Sequence, residues 1–252
     1  MRARRGGSLL RWLLAAVVGA GVAQALLGPT SGAAQEASEA QIAEGRRLFQ
    51  QSCASCHGPA GEGTADGPAL VRAGPAAVDF MLSTGRMPLA DPDVQPERQE
   101  PAFAPEQIRA IVAFVGSFSA GGTQIPTIDA QAGSLSLGQA AYEANCAACH
   151  GSAGSGDSIG GNQIAPALDR ATPLQIAEAI RVGPGPMPRF GSAAVDQRGM
   201  DSIARYLVFL RDTRNRGGVG LGRVGPVAEG FVGVVVGLGL LMLVIRYTGT
   251  HE

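Results

Sequence analysis

The chain carries the pentapeptide Cys53-Ala54-Ser55-Cys56-His57 and, later, the closely similar pentapeptide Cys146-Ala147-Ala148-Cys149-His150. The two segments contain all four cysteines and two of the three histidines of the 252-residue chain. No cysteine is therefore available for any other role.

The surroundings of the two pentapeptides are also repeated, which indicates an internal duplication. A glycine and an aromatic residue precede each pentapeptide, and a Pro-Ala-Leu and a Met-Pro sequence follow it. The matching residues are Gly45, Phe49, Pro68-Ala69-Leu70 and Met87-Pro88 in the first copy, and Gly138, Tyr142, Pro166-Ala167-Leu168 and Met187-Pro188 in the second.

Each copy begins and ends with the apolar spacing of an amphipathic helix, and no segment shows the sustained alternation of a strand. In the first copy the opening pattern spans residues 39–51 and the closing one starts at Pro105. Five prolines make residues 88–105 a loop. We therefore expect a mainly α-helical protein with two tandem domains, 35–119 and 134–213, joined by a linker over 120–133.

The sequence Cys-x-x-Cys-His is the attachment site of c-type haem. In such a site the two cysteines form thioether bonds to the porphyrin, and the adjacent histidine is held under the iron. We expect two covalently bound haem c groups, one at Cys53 and Cys56 with His57 as iron ligand, the other at Cys146 and Cys149 with His150.

The other axial ligand of each iron is predicted to be a methionine. The remaining histidine, His251, follows a long apolar run, and the usual alternative to histidine is methionine. Met87 and Met187 stand at corresponding places in the two copies, whereas Met81 and Met200 fit core positions. A neutral thioether ligand favours ferrous iron and so implies a high potential.

Each histidine should also donate its other ring N–H to a carbonyl, which fixes its orientation. We expect the carbonyls of Pro68 and Pro166 to accept these bonds. The alternative is that these prolines only shape a turn.

The number and spacing of the cysteines also fit two other uses. Four cysteines outside the cytoplasm can form two disulfides, and two Cys-x-x-Cys pairs can bind one zinc ion. Neither explains the adjacent histidines or the repeated Met-Pro.

The two ends of the chain predict export and a membrane anchor. Residues 1–34 combine early arginines, an apolar run and small residues, as a signal peptide or an N-terminal membrane helix does. Residues 224–246 form a segment that is long and apolar enough to span a membrane, where it would contact lipid. A Gly- and Arg-rich linker over 214–223 precedes it. The arginines of that linker favour a cytoplasmic position for the residues that precede the span. Long domains, however, translocate largely regardless of charge. We therefore expect the haem domains on the outer face of the membrane.

Charge argues against nucleic acid as a partner. Four of the 20 basic residues lie in the predicted leader, so acidic residues, 21 in all, exceed basic ones in the remainder. An acidic chain without basic clusters is a poor nucleic-acid binder.

With these motifs in place, each copy resembles a class I cytochrome c domain. The whole chain resembles the dihaem cytochrome c subunit of the actinobacterial cytochrome bcc complex, a menaquinol–cytochrome c reductase. The specific stretches are Ser83-Thr84-Gly85-Arg86-Met87-Pro88, Gly183-Pro184-Gly185-Pro186-Met187-Pro188 and Gly225-Pro226-Val227-Ala228-Glu229-Gly230.

The resemblance implies that the subunit accepts electrons from a Rieske iron–sulfur protein, in a complex with cytochrome b, and passes them to an aa3-type oxidase. It also implies that the glycine and aromatic residue of each opening helix pack on the closing helix. Two alternatives remain, the dihaem subunit of a cbb3-type oxidase and the cytochrome subunit of a periplasmic dehydrogenase.

Overall fold

The computed structural model describes residues 37–91, 94–119, 121–212 and 230–249. The first domain contains four helices, α1 to α4, and the second contains four helices, α5 to α8, and a two-stranded hairpin. Their bounds are α1 Glu39–Ser52, α2 Ala54–His57, α3 Pro75–Ser83, α4 Pro105–Phe118, α5 Leu135–Asn145, α6 Ala147–His150, β1 Asp157–Gly160, β2 Gln163–Ala165, α7 Pro173–Val182 and α8 Gln197–Asp212.

Proline and local capping fix where several helices begin. Pro75, Pro105 and Pro173 occupy the start of α3, α4 and α7, where the missing N–H has no helical partner to lose. Before α7, the Thr172 hydroxyl accepts a bond from the Gln175 N–H, and the Gln175 side chain accepts one from the Thr172 N–H, both at 3.2 Å. This capping box satisfies two otherwise unpaired donors.

In each domain the opening helix crosses the closing helix at a glycine. A Cβ on Gly45 of α1 would overlap the Ala110 carbonyl of α4, and one on Gly138 of α5 would overlap the Ser202 carbonyl of α8. Only glycine allows this approach of backbone to backbone. The predicted packing role of the two glycines is confirmed.

The predicted aromatic partners also lie between the same helices. The Phe49 ring packs on Phe114 with centroids 5.4 Å apart, and the Tyr142 ring on Tyr206 at 5.7 Å. Phe49 and Tyr142 are each at most 1% exposed and lie in separate hydrophobic clusters, one in each domain. Each copy of the duplication therefore has its own core.

The two domains are joined by polar contacts. Helix α3 packs against α7, and the side-chain amide of Gln175 donates to the carbonyl and hydroxyl of Ser83 at 3.3 and 3.2 Å. Gln95, in the proline-rich loop, donates to the carbonyl of Ile164 at 2.8 Å and accepts from its N–H at 3.0 Å. The loop of the first domain is thereby tied to strand β2 of the second.

Most expectations about the elements are confirmed: the fold is mainly α, the opening and closing helices are present, and the described part of 88–104 contains no helix. Within the described residues, the sheet consists of the antiparallel pair β1 and β2. Helices α3 and α7 were not predicted.

The C-terminal apolar segment is helical. One π-helical turn, Val232–Val236, leads into α9, Gly237–Gly249. These 18 residues have a mean hydropathy of 1.9, and none is buried in the protein. The helix continues past Arg246, the predicted end of the span, while 224–229 and the predicted leader over 1–34 lie outside the described residues.

Candidate haem-binding sites

Each pentapeptide forms one helical turn directly after the opening helix. The His57 N–H donates to the Cys53 carbonyl at 2.9 Å, and the His150 N–H donates to the Cys146 carbonyl at 2.9 Å. Residues three and four apart share a face of a helix. Both cysteines and the histidine of each pentapeptide are therefore presented toward one side.

The two histidines are held by the carbonyls named from the sequence. Nδ1 of His57 lies 2.8 Å from the Pro68 oxygen, and Nδ1 of His150 lies 2.9 Å from the Pro166 oxygen. A carbonyl can only accept, so Nδ1 carries the proton in each case. Nε2 keeps its lone pair and is the atom that can bind iron.

At the second site, burial favours the neutral form of the histidine. His150 is buried, and burial lowers its pKa, although the bond to Pro166 opposes that effect. The imidazole is therefore neutral at physiological pH, which is the form that binds a metal.

Paired glycines, which the sequence analysis missed, join each histidine turn to its proline loop. The Gly63 N–H donates to the His57 carbonyl at 2.7 Å, and the Gly156 N–H donates to the His150 carbonyl at 2.9 Å. Both glycines have positive φ, +88° and +78°, which side chains disfavour. Each stands six positions after its histidine, so extending the alignment beyond the pentapeptide would have found them.

In the second domain the predicted ligands line one cavity. Cys146, Cys149, His150 and Met187 all border a space of about 360 Å³, a size typical of cofactor sites. The lining is mostly apolar. All four side chains proposed for this haem are therefore brought to the same cavity.

In the first domain Cys53 and Met87 pack against the same hydrophobic cluster. The Met87 N–H donates to the Met81 carbonyl at 3.2 Å. Of the two methionines assigned to the core, Met200 is 1% exposed and belongs to the second cluster. Met81 instead lies at the edge of the second cavity.

The donor set fits haem c better than it fits the alternatives. The four cysteines form no disulfide with one another, and burial raises the pKa of the Cys53 and Cys146 thiols to about 11. Among the described residues no group of three or more His, Cys, Asp or Glu side chains is arranged to hold a metal ion. Neither alternative uses the two histidines, whose Nδ1 atoms are bonded to proline carbonyls.

Two mainly helical domains with these motifs define the class of c-type cytochromes. Residues 42–119 match the family described as cytochrome c, and residues 133–207 match the family described as cytochrome c oxidase, cbb3-type, subunit III.

The chain is also similar over most of its length to curated proteins named cytochrome bc1 complex cytochrome c subunit. It is 36% identical to that of Mycobacterium tuberculosis (strain ATCC 25618 / H37Rv), with 96% of this chain and 91% of the relative covered. For Mycobacterium leprae the identity is 35%, covering 91% and 84%, and for Corynebacterium diphtheriae 30%, covering 87% and 84%. The chain belongs to the family of cytochrome c subunits of the bc1 complex, and its role is that of a c-type cytochrome that carries electrons.

Proposed function

We propose that the chain is the dihaem, membrane-anchored electron carrier of a quinol–cytochrome c reductase. The observation that supports this most is the repetition of one complete donor arrangement: a Cys-x-x-Cys-His turn, a proline carbonyl on Nδ1 of the histidine and a Met-Pro loop. A single copy would suit a simple carrier. Two copies in one chain suit transfer between two sites.

The side chains have distinct tasks in this proposal. Cys53 and Cys56, and likewise Cys146 and Cys149, hold the porphyrin by thioether bonds. Haem c, when bound, supplies an iron that exchanges one electron. The proline carbonyls orient the histidines and increase their basicity, while the methionine thioethers favour the ferrous state.

The partners follow from the family. The relatives are named as subunits of a bc1 complex, so we assign cytochrome b and the Rieske protein as companions and the Rieske protein as electron donor. An aa3-type oxidase is the proposed acceptor. The match of residues 133–207 to a cbb3-type subunit supports a second candidate, a dihaem oxidase subunit.

Purification from membranes in mild detergent separates these candidates. We expect cytochrome b and a Rieske protein to accompany the chain. Recovery with the catalytic subunit of a cbb3-type oxidase, and without cytochrome b, would overturn the leading assignment.

The haem content provides a direct test of the two sites. Pyridine haemochrome analysis is expected to give two haems per chain, and Cys146→Ala combined with Cys149→Ala is expected to leave one. Ser55→Ala is the control, because Ser55 lies inside the first pentapeptide but is not one of its proposed haem-binding residues. This variant should keep two haems per chain. A double variant that still binds two haems would place the second site elsewhere.

The redox potential of each haem tests whether a methionine is its axial ligand. Met87→His replaces a thioether by a more basic nitrogen, so the potential of the first haem is expected to fall while the haem stays attached. Met200→Leu, a substitution in the second core, is the control and should leave both potentials close to their original values. An unchanged titration in Met87→His would show that Met87 is not a ligand.

A further inference from the structure

The cavity of the second domain has one wall from the first domain. Met81, Arg86 and Arg98 belong to the first copy, yet they border the same space as Cys146 and His150. Arg86 directly precedes Met87, and Arg98 lies in the proline-rich loop. Two cationic groups and one carboxylate, that of Glu97, thus reach a mostly apolar cavity from a neighbouring domain, and the positive charges are in excess.

Both arginines are held in place. The guanidinium of Arg86 lies over the Phe80 ring, 5.1 Å from its centroid. Arg98 donates to the side-chain oxygen of Gln175, whose amide in turn donates to Ser83. The hydrogen bonds of Gln95 to Ile164 fix the same loop a few residues earlier. The cationic wall is therefore part of the domain contact.

Both guanidiniums border the same cavity from the first domain. Burial lowers the pKa of Arg86, and the charge of Arg98 lowers it further. Burial likewise lowers the pKa of Arg98, with Arg170 adding to the effect and Asp169 and Glu100 opposing it.

In the described part of the chain, the ion pairs place no carboxylate within 4.0 Å of Arg86 or Arg98. Like charges brought together at the edge of an apolar cavity are stabilised by an anion within it. The ligand of this cavity should therefore carry negative charge on the side facing the first domain.

Haem has such a side, since two propionate carboxylates extend from one edge of an otherwise apolar ring. Arginine is suited to carboxylates, because its planar group can donate two parallel hydrogen bonds. We propose that Arg86 and Arg98 of the first domain bind the propionates of the haem attached at Cys146 and Cys149, so that the second haem site is completed by both domains. This inference rests on the proposed function.

One consequence is measurable. A positive charge near a haem favours the reduced state, because reduction adds an electron. Removing either arginine should therefore lower the potential of the second haem. Arg86 also stands next to a proposed ligand of the first haem, so the experiment has to separate the two potentials.

The test is a redox titration of the full-length holoprotein, resolved into two one-electron components. The component that falls in Met187→His is assigned to the second haem. In Arg86→Gln and in Arg98→Gln we expect that component to fall by about 59 mV, a roughly tenfold loss in the ratio of reduced to oxidised haem. In Arg98→Lys, which keeps the positive charge but loses the planar group that donates two hydrogen bonds, the potential of this component should fall by less.

Arg109→Gln is the matched control. Arg109 is an exposed arginine of the first domain that pairs with Glu106 at 3.0 Å, and its replacement should leave both components unchanged. If the second component does not move in Arg86→Gln, or if only the first one moves, the proposal is wrong.

Loss of the domain contact could also change the potential, so docking is measured separately. The Ile164 amide donates across the domain contact to Gln95, and its hydrogen-exchange protection reports whether the domains stay together. The Phe80 ring that Arg86 contacts lies in the same domain as Arg86, so Arg86→Gln should retain this protection. A fall in potential only in variants that lose it would reject propionate binding in favour of docking.

Failure of this proposal is distinguishable from failure of the proposed function. Two haems per chain together with an unresponsive second component would reject only the arginine contacts. A haem content other than two would reject the sites themselves.

Discussion

Gly45 and Gly138 show how a single atom decides the packing of a domain. Each lies where an opening helix meets the backbone of a closing helix, with no room for a Cβ. The neighbouring aromatic rings, Phe49 and Tyr142, then fill the space beside the crossing. The pentapeptides begin at Cys53 and Cys146, directly after these helices, so the same contact positions them.

Gly45→Ala is expected to destabilise the first domain. The added methyl group would force α1 away from the Ala110 carbonyl, and overpacking of this kind costs about 1–3 kcal/mol. Gly116→Ala is the matched control, since Gly116 is also helical and its Cβ would meet only the Pro75 Cβ at 4.0 Å. There the better helix propensity of alanine should stabilise by up to ~1 kcal/mol. Thermal unfolding of the holoprotein measures both, and equal effects would contradict the assigned role of Gly45.

At the scale of single residues, the sequence predicted those whose roles are set by covalent chemistry or by the duplication. Cys53, His57 and Pro68 are examples, and the hydrogen bond between the last two is present at 2.8 Å. The haem-binding roles of Cys53 and His57 remain predictions, as do those of Met87 and Met187. No role was predicted for Arg86, which stands in the quoted stretch 83–88, or for Arg98, because the cavity that both border belongs to the other domain.

Helices α3 and α7 meet through two carboxyl groups, Asp79 and Glu178. Glu178 is fully buried, and its carboxyl group lies beside that of Asp79. Among the described residues neither of its oxygens accepts a hydrogen bond from a conventional donor. A bond between two carboxyls requires a proton, and burial, with the adjacent Asp79, raises the pKa of Glu178 to about 9.

This pair predicts that stability falls as the pH rises. Between about pH 4.5, the ordinary value, and about pH 9 the folded chain retains a proton on Glu178 that the unfolded chain releases. The free energy of unfolding should therefore decrease with pH, by at most about 1.4 kcal/mol per unit from this group. Burial also raises the pKa of Asp79. Arg181, the other charged side chain of α7, donates instead to the carbonyls of Phe190 and Val195 at 3.0 and 2.8 Å.

Glu178→Gln tests the source of this dependence. The amide is neutral at every pH and can donate to Asp79, so the decrease in unfolding free energy with pH should become shallower. Glu143→Gln, which alters an exposed carboxylate of α5 bonded to Gln139, should retain the original slope. Denaturant unfolding across the pH range measures both, and parallel slopes for wild type and Glu178→Gln would show that the pair does not titrate as described.

The same contact explains why α3 and α7 were absent from the sequence prediction. Both are short, at 9 and 10 residues, and each packs against its own domain on one side and the other domain on the other. A helix covered in this way lacks the solvated face that gives a clear 3.6-residue period. The long opening and closing helices keep such a face and were predicted.

For the whole molecule, the exposed C-terminal helix predicts how the protein partitions. A chain ending at residue 229 lacks the 18-residue apolar helix from Val232 to Gly249 and is expected in the soluble fraction after a carbonate wash. The full-length chain should stay with the membrane, where burial of this helix in lipid is favourable. If the shortened chain also stays, the N-terminal segment is a second anchor and not a cleaved signal.

The arrangement of the two domains could not be predicted from the sequence. Duplication and linker length define two units, but the contact between them depends on isolated side chains such as Gln95, Arg98 and Gln175. These have no periodicity and no recognisable motif. Their pairing is visible only once both domains are folded.

The shared wall of the second cavity constrains the order of biogenesis. Arg86 and Arg98 can take their places only after the first domain has folded and docked. Until then the second cavity is open along that side, which leaves a path for the porphyrin to enter. Thioether formation at Cys146 and Cys149 is thus expected to precede closure, so that docking of the amino-terminal domain acts as the final step of maturation.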